Sequence, residues 1–416
     1  MAMTNLAVLF SSWLAYHIRR TATGTSPVFL LVSLALLTVL PVLFKNVFGL
    51  REHMVVLGLW PYLVLRLSDP DETKIDRKTR FFVSVWLGVS LLFKYIYALV
   101  VLLVEVVDAL VQRRLLVLFR IENLISASVV ALYLFLWLGV DPAQREAMGA
   151  IVSAIDGNLA DFETNVAQAV MNVALSVVFL IVGLVFKVPV RISAMGIALV
   201  VAAVLASWVQ GRWYSHHLFP ITMAYFAWIW MLRGHLRPLW QWAFLLLAFG
   251  PVVGEFRNTA IYQRSTSELY VTMANAGLSV EGKRVGLLTM HPSPFNEFLA
   301  THGAVRWNTS MNNAYVAAEL KNFDRPENQD VTPPAVLLED PGRQLLHDNM
   351  LRLWEDQPPE ILILDHSHSW PLRYVKVRWQ EAFAKDARFQ SFLDRYEPVF
   401  EHKGELLEFT YLVRKQ

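Results

Sequence analysis

The sequence predicts a polytopic α-helical membrane protein of about ten transmembrane helices, closed by a C-terminal extracytoplasmic α/β domain. Residues 1–254 alternate long apolar segments with short charged breaks, whereas residues 255–416 hold most of the Asn, Asp and Glu. Hydrophobic residues make up 55% of the chain and charged residues 17%, and the mean hydropathy is +0.40. An average that apolar, with a polar tail included, concentrates the hydrophobicity in the first part. Two domains are therefore expected, a transmembrane domain over 1–254 and a soluble domain over 255–416.

Apolar segments of helical length run at about 4–18, 27–48, 54–67, 81–111, 123–140, 166–187, 192–209, 217–232 and 238–254. The stretch from Phe81 to Val111 exceeds one crossing of about 20 residues, and Lys94 interrupts it. Two helices hinged at Lys94 are expected there. Lys and Arg cluster at Arg19–Arg20, Lys74–Arg80, Arg113–Arg120, Lys187–Arg191 and Arg233–Arg237. By the positive-inside rule these breaks share the cytoplasmic side, which leaves the turn at 49–53, the Lys94 hinge, the loops 141–165 and 210–220 and the tail on the other.

In the tail, Arg284–Met290 and Glu360–Asp365 are short bounded apolar runs, as buried strands require, and Leu406–Arg414 reads as a final strand. Gly342–Glu355 and Phe389–Arg395 have helical spacing. A net charge of +2, dispersed over short breaks, argues against nucleic-acid binding. The absence of cysteine excludes disulfides and thiolate chemistry. Arg19 and Arg20 follow the first apolar stretch, opposite to the order in a cleavable signal peptide.

Three constellations carry candidate chemistry. In Phe48-Gly49-Leu50-Arg51-Glu52-His53, three adjacent ionisable residues lie between apolar segments, where they need water or one another. A snorkelling arginine with its glutamate partner is the structural alternative. In Gln210–Pro220, Arg212, His216 and His217 could hold a phosphate while Trp213 and Tyr214 cover a sugar ring or isoprenoid; an interfacial aromatic belt has the same composition. Lys94 must face water or an anion, and a simple helix break is the structural alternative. The 141–165 loop carries Asp141, Arg145, Glu146, Asp156, Asp161 and Glu163, from which a general base could be drawn, and a solvated amphipathic loop would look the same. Asp365-His366-Ser367-His368 has neither a nucleophile elbow nor an HExxH motif beside it and reads as a strand-end turn. No cofactor is fixed by these patterns; a divalent metal stays open, because the paired histidines lack a nearby third ligand.

The Phe-Gly-x-Arg-Glu-His turn, Pro61-Tyr62-Leu63, Lys94 with its aromatic neighbours, the Gly211–Pro220 element and the α/β tail together resemble bacterial GT-C glycosyltransferases of the polyprenyl-phosphate-sugar-dependent type, loosely over residues 5–414. The likeness implies a multi-pass enzyme of the bacterial inner (cytoplasmic) membrane. It would move a sugar from a polyprenyl-phosphate carrier to a cell-envelope glycan, lipid or protein acceptor, with membrane lipids as its surroundings. It also implies that Arg51, Lys94, Arg212, Trp213, Tyr214, His216 and His217 bind the lipid-linked donor, and that Glu52 and His53 serve the acceptor or proton transfer. Such enzymes place an acid in the first outer loop, yet no Asp or Glu precedes Glu52 here. Either the start is truncated, or Glu52, Asp156 or Asp161 has taken the role, or catalysis is lost. A polysaccharide ligase or polymerase, or a non-catalytic envelope-assembly subunit, is the competing reading.

Overall fold

The computed structural model describes residues 2–43, 49–69, 71–139, 162–209, 215–232, 250–289, 292–306, 341–367 and 375–415, with His235, Ala243 and Glu327 singly. Its backbone contacts divide into two compact units, one of Met1–Gly139 and Ala160–Arg257, the other containing Asn258–Gln416.

The first unit is helical: α1 (Ala2–Thr23), α2 (Val28–Leu43), α3 (Arg51–Ser68), α4 (Arg77–Phe93), α5 (Ala98–Gln112), α6 (Ile121–Leu138), α7 (Phe162–Val185), α8 (Val190–Val209) and α9 (Ser215–Leu232). Helix α10 (Gly250–Asn275) runs on into the second unit. Local chemistry sets several ends. Asp76 caps α4 by accepting from the Thr79 amide at 2.9 Å, satisfying one of the amides a helix start leaves open. At Lys94 the backbone turns extended and a 3-10 turn, Tyr95–Tyr97, leads into α5, so the long apolar run breaks at its single lysine. Arg113 ends α5 in the left-handed conformation. Helix α3 packs against α1, α4 and α9, and α5 against α8. A Cβ on Gly196 of α8 would lie 2.2 Å from the Trp228 ring, so glycine admits the close approach of α9 there.

These helices overturn the expected count of about ten crossings. Among the described residues two helical segments, Tyr95–Gln112 and Val190–Val209, are long and apolar enough to span a membrane, while Val28–Val42, Ile121–Trp137, Val170–Val185 and Leu218–Leu232 are shorter. The multi-pass inner-membrane localisation, with the tail outside the cytoplasm, rested on that count and falls with it. The error has a physical cause. The remaining apolar helices run 10–17 residues, short of the about 20 that a crossing takes, while 61% of Val190–Val209 and 33% of Tyr95–Gln112 are buried within the protein. Charged side chains inside the apolar runs, among them Arg66, Glu105 and Asp108, are buried against one another.

The second unit is built on a five-stranded sheet in the order β2-β1-β3-β5-β4: β1 (Arg284–Leu288), β2 (Val305–Arg306), β3 (Ile361–Asp365), β4 (Tyr396–Lys403) and β5 (Glu408–Arg414). Strands β2, β1 and β3 are parallel, and β5 runs antiparallel to β3 and β4. Alternate side chains of β3 enter different cores, as the two-residue period of a strand requires. Ile361 and Ile363 join Phe295, Phe298 and Leu299 of α11 (Pro292–Thr301), whereas Leu362 and Leu364 join Met350, Leu351 and Trp354 of α12 (Pro341–Asp356). The sheet is thus covered on both faces. Helices α13 (Trp379–Ala382) and α14 (Ala387–Leu393) add Trp379, Phe389 and Phe392 to the α12 side. In β4, which forms one edge, the register shifts between Pro398 and Phe400.

Candidate functional site

The Glu52–His53 pair opens α3, and Gly49 sets its approach. Gly49 has φ +82°, a left-handed backbone that favours glycine, and a Cβ there would stand 3.2 Å from Thr4 Oγ1. The Gly49 amide donates to His53 Nδ1 at 3.0 Å, so His53 Nε2 carries the proton and donates to the Leu37 carbonyl at 2.9 Å. Nδ1 thereby fixes the turn that enters α3, and Nε2 ties the start of α3 to α2. Burial lowers the His53 pKa to about 4, which keeps the ring neutral. Its edge meets Phe219 of α9 at a centroid distance of 6.0 Å.

Glu52 sits in the first turn of α3, where the helix dipole favours an anion, and is 2% exposed. Lys94 reaches it from the break between α4 and α5, forming an ion pair between residues 42 apart in sequence. Arg51 is exposed beside this pair. Tyr97, Trp60 and Pro220 help to line an apolar cavity of about 30 Å³ further along α3, room for little more than a water.

Of the remaining expected site residues, Arg212, Trp213 and Tyr214 lie outside the described residues, as do Asp156, Asp161 and the side chains of His216 and His217. The backbone of His216 and His217 belongs to the first turn of α9, and Phe219 two residues on touches His53. The structure therefore brings together Glu52, His53, Lys94 and the start of α9. Phe48 is also outside the described residues.

A second polar centre, not anticipated from the sequence, lies at the other end of α3. Arg66 Nη2 donates to Glu105 Oε2 at 3.0 Å and to Asp108 Oδ2 at 2.8 Å, and Tyr62 donates its hydroxyl to Glu105. Arg191 joins from α8, with Nε 2.6 Å from Asp108 Oδ1. Arg80 bridges Asp69 and Glu122, and Arg120 pairs with Glu72. The Asp69 carboxylate also gathers the amides of Thr73, Lys74 and Ile75 at 2.9 to 3.2 Å. Burial opposes its ionisation, but these amides and Arg80 hold its pKa below the usual range. Arg66 and the acids Glu105 and Asp108, spaced three apart, stand inside apolar runs, and that was the available signal. Arg66 lies fourteen residues beyond Glu52, about 21 Å along a helix.

In the second unit, Ser367 donates both its amide, at 3.0 Å, and its hydroxyl to Asp365, and Thr289 donates its hydroxyl to the other carboxylate oxygen. This is the hydrogen-bonded turn that ends β3. Among the described residues no group of three or more His, Asp or Glu is placed to hold a metal ion. The chain matches no protein-family model, no curated protein and no solved structure.

Proposed function

We propose that this protein is a glycosyltransferase that takes a sugar from a polyprenyl-phosphate carrier, with Glu52 and Lys94 at its catalytic centre. The observation that supports the reading is the Glu52–Lys94 pair, a largely buried carboxylate and ammonium joined at a helix start and a helix break. Transfer needs a base for the acceptor hydroxyl and a cation for the leaving phosphate. The acceptor oxygen bonds to the anomeric carbon, the bond from that carbon to the phosphate oxygen breaks, the hydroxyl proton passes to Glu52, and polyprenyl phosphate departs. Lys94 orients the carboxylate and faces the phosphate, and exposed Arg51 supplies a second positive charge. His53, with both nitrogens engaged by backbone, acts as a positioning residue.

The acceptor is a glycan, lipid or protein of the cell envelope. A non-catalytic envelope-assembly subunit is the second reading, favoured by the size of the apolar cavity further along α3, which is too small for a sugar. Detergent-purified protein incubated with a panel of polyprenyl-phosphate sugars decides between them. Release of polyprenyl phosphate that Glu52→Gln abolishes supports the transferase; no release from any donor, or release indifferent to that substitution, overturns it.

A further inference from the structure

In the second unit the chain leaves β1 through α11 to β2 on one side, then returns through α12 to β3 on the other. The two connecting helices pack on opposite faces. The strand order thus reverses at β1, and in open α/β sheets ligands settle outside the carboxyl ends of the strands at such a reversal. Here those ends are marked by Thr289 after β1 and Asp365 closing β3, joined by a hydrogen bond across the reversal.

At the same end of the sheet, on the β5 side of β3 and so one strand removed from that reversal, a pocket of about 400 Å³ opens between the end of β3, the end of β4 and the start of β5. That volume is within the range of small-ligand sites. His366 forms its floor: Nδ1 is 2.9 Å from the Val377 carbonyl, which can only accept, so Nε2 presents a lone pair on the side of Thr410, whose hydroxyl is 3.4 Å away. Around the rim Arg378 pairs with Glu381 at 3.3 Å and Lys376 pairs with Glu408 at 2.5 Å, while Glu401 and Lys403 add an acceptor and a donor. His402 is held in place by Glu268 at 2.9 Å.

We propose that this pocket binds an uncharged oligosaccharide. With Glu381 and Glu408 each compensated by its own cation, and Glu401 and Lys403 of opposite sign, the wall carries no net charge to draw in an ion. A sugar hydroxyl both donates and accepts, and so satisfies a wall on which the two kinds of group are interleaved. Naming the saccharide as the acceptor of transfer rests on the transferase proposal; the binding does not.

The test is calorimetric titration of the full-length purified chain with tetrasaccharides of glucose, mannose, galactose and N-acetylglucosamine, with tetragalacturonate and tetraglucosamine as charged controls. At least one neutral tetrasaccharide is expected to bind, more tightly than both charged ones, and to lose tenfold or more in affinity in Arg378→Ala and in Glu401→Ala. Both side chains are exposed, so their removal spares the core. Absence of binding by every neutral probe, preference for a charged probe, or binding unchanged in both variants overturns the proposal. Transfer is assayed separately on the same preparation: binding without transfer removes the transferase reading and leaves this site standing.

Discussion

Arg66 on α3 and Asp108 on α5 are joined by a 2.8 Å ion pair in which the side chains are 1% and 0% exposed. Removing one member leaves charge with no water to receive it, at a cost of about 3–5 kcal/mol. Arg66→Met therefore lowers the thermal unfolding midpoint sharply, because Glu105 loses its guanidinium partner while Asp108 keeps Arg191. Adding Glu105→Gln recovers part of the loss. A double variant no more stable than Arg66→Met alone contradicts this account of the network.

The Glu52–Lys94 pair predicts coupling in both activity and stability. Lys94→Met and Glu52→Gln are each expected to abolish turnover. In unfolding experiments, the double variant is expected to be more stable than the sum of the single losses implies, by about 1–3 kcal/mol for partners in direct contact. Simple additivity would mean that the two side chains do not act as a unit.

Gly49→Ala places a Cβ in the left-handed region and against Thr4. Left-handed backbone alone costs about 1–2 kcal/mol for a residue with a side chain. The variant is expected to unfold earlier and to lose activity through misplacement of His53 and Glu52. A companion Thr4→Ala should restore only the steric part of the loss.

Burial raises the Asp365 pKa from 3.8 to about 6. Between those values the folded chain binds the proton more tightly than the unfolded chain. This residue therefore contributes stability at low pH that is lost as pH rises from about 4 to about 6, on the order of 3 kcal/mol in all. Asp365→Asn removes the titration. Denaturant midpoints measured from pH 4 to pH 7 should show the variant gaining on the wild type across that window and running parallel to it above. Parallel curves throughout would place the titration elsewhere.

The sequence shows some of these features and hides others for identifiable reasons. Lys94 in an apolar run signals the break between α4 and α5, and the bounded runs at 284, 360 and 406 mark β1, β3 and β5. Strand β4 is hidden because it forms an edge, with Glu397, Pro398 and Glu401 facing outward in place of an apolar face. The ion network escapes because its partners stand far apart along the chain, 39 residues for Arg66 with Glu105 and 83 for Arg191 with Asp108. The crossings are overcounted because apolar runs such as Val28–Val42, Ile121–Trp137 and Leu218–Leu232 have helical spacing but stop short of the length a crossing takes. The Gly211–Pro220 element remains an expectation, while Glu52 and His53 are recognisable as a pair although only the fold shows that His53 is spent on backbone carbonyl and amide.

The slipped register in β4 has a consequence for assembly. An incoming strand needs a straight row of free amides and carbonyls, and at Pro398 one amide is missing while the shift to Phe400 puts the following groups out of step. Glu397, Glu401 and Lys403 add charge along the same margin. That flank is thereby a poor template for the strand of a neighbouring copy.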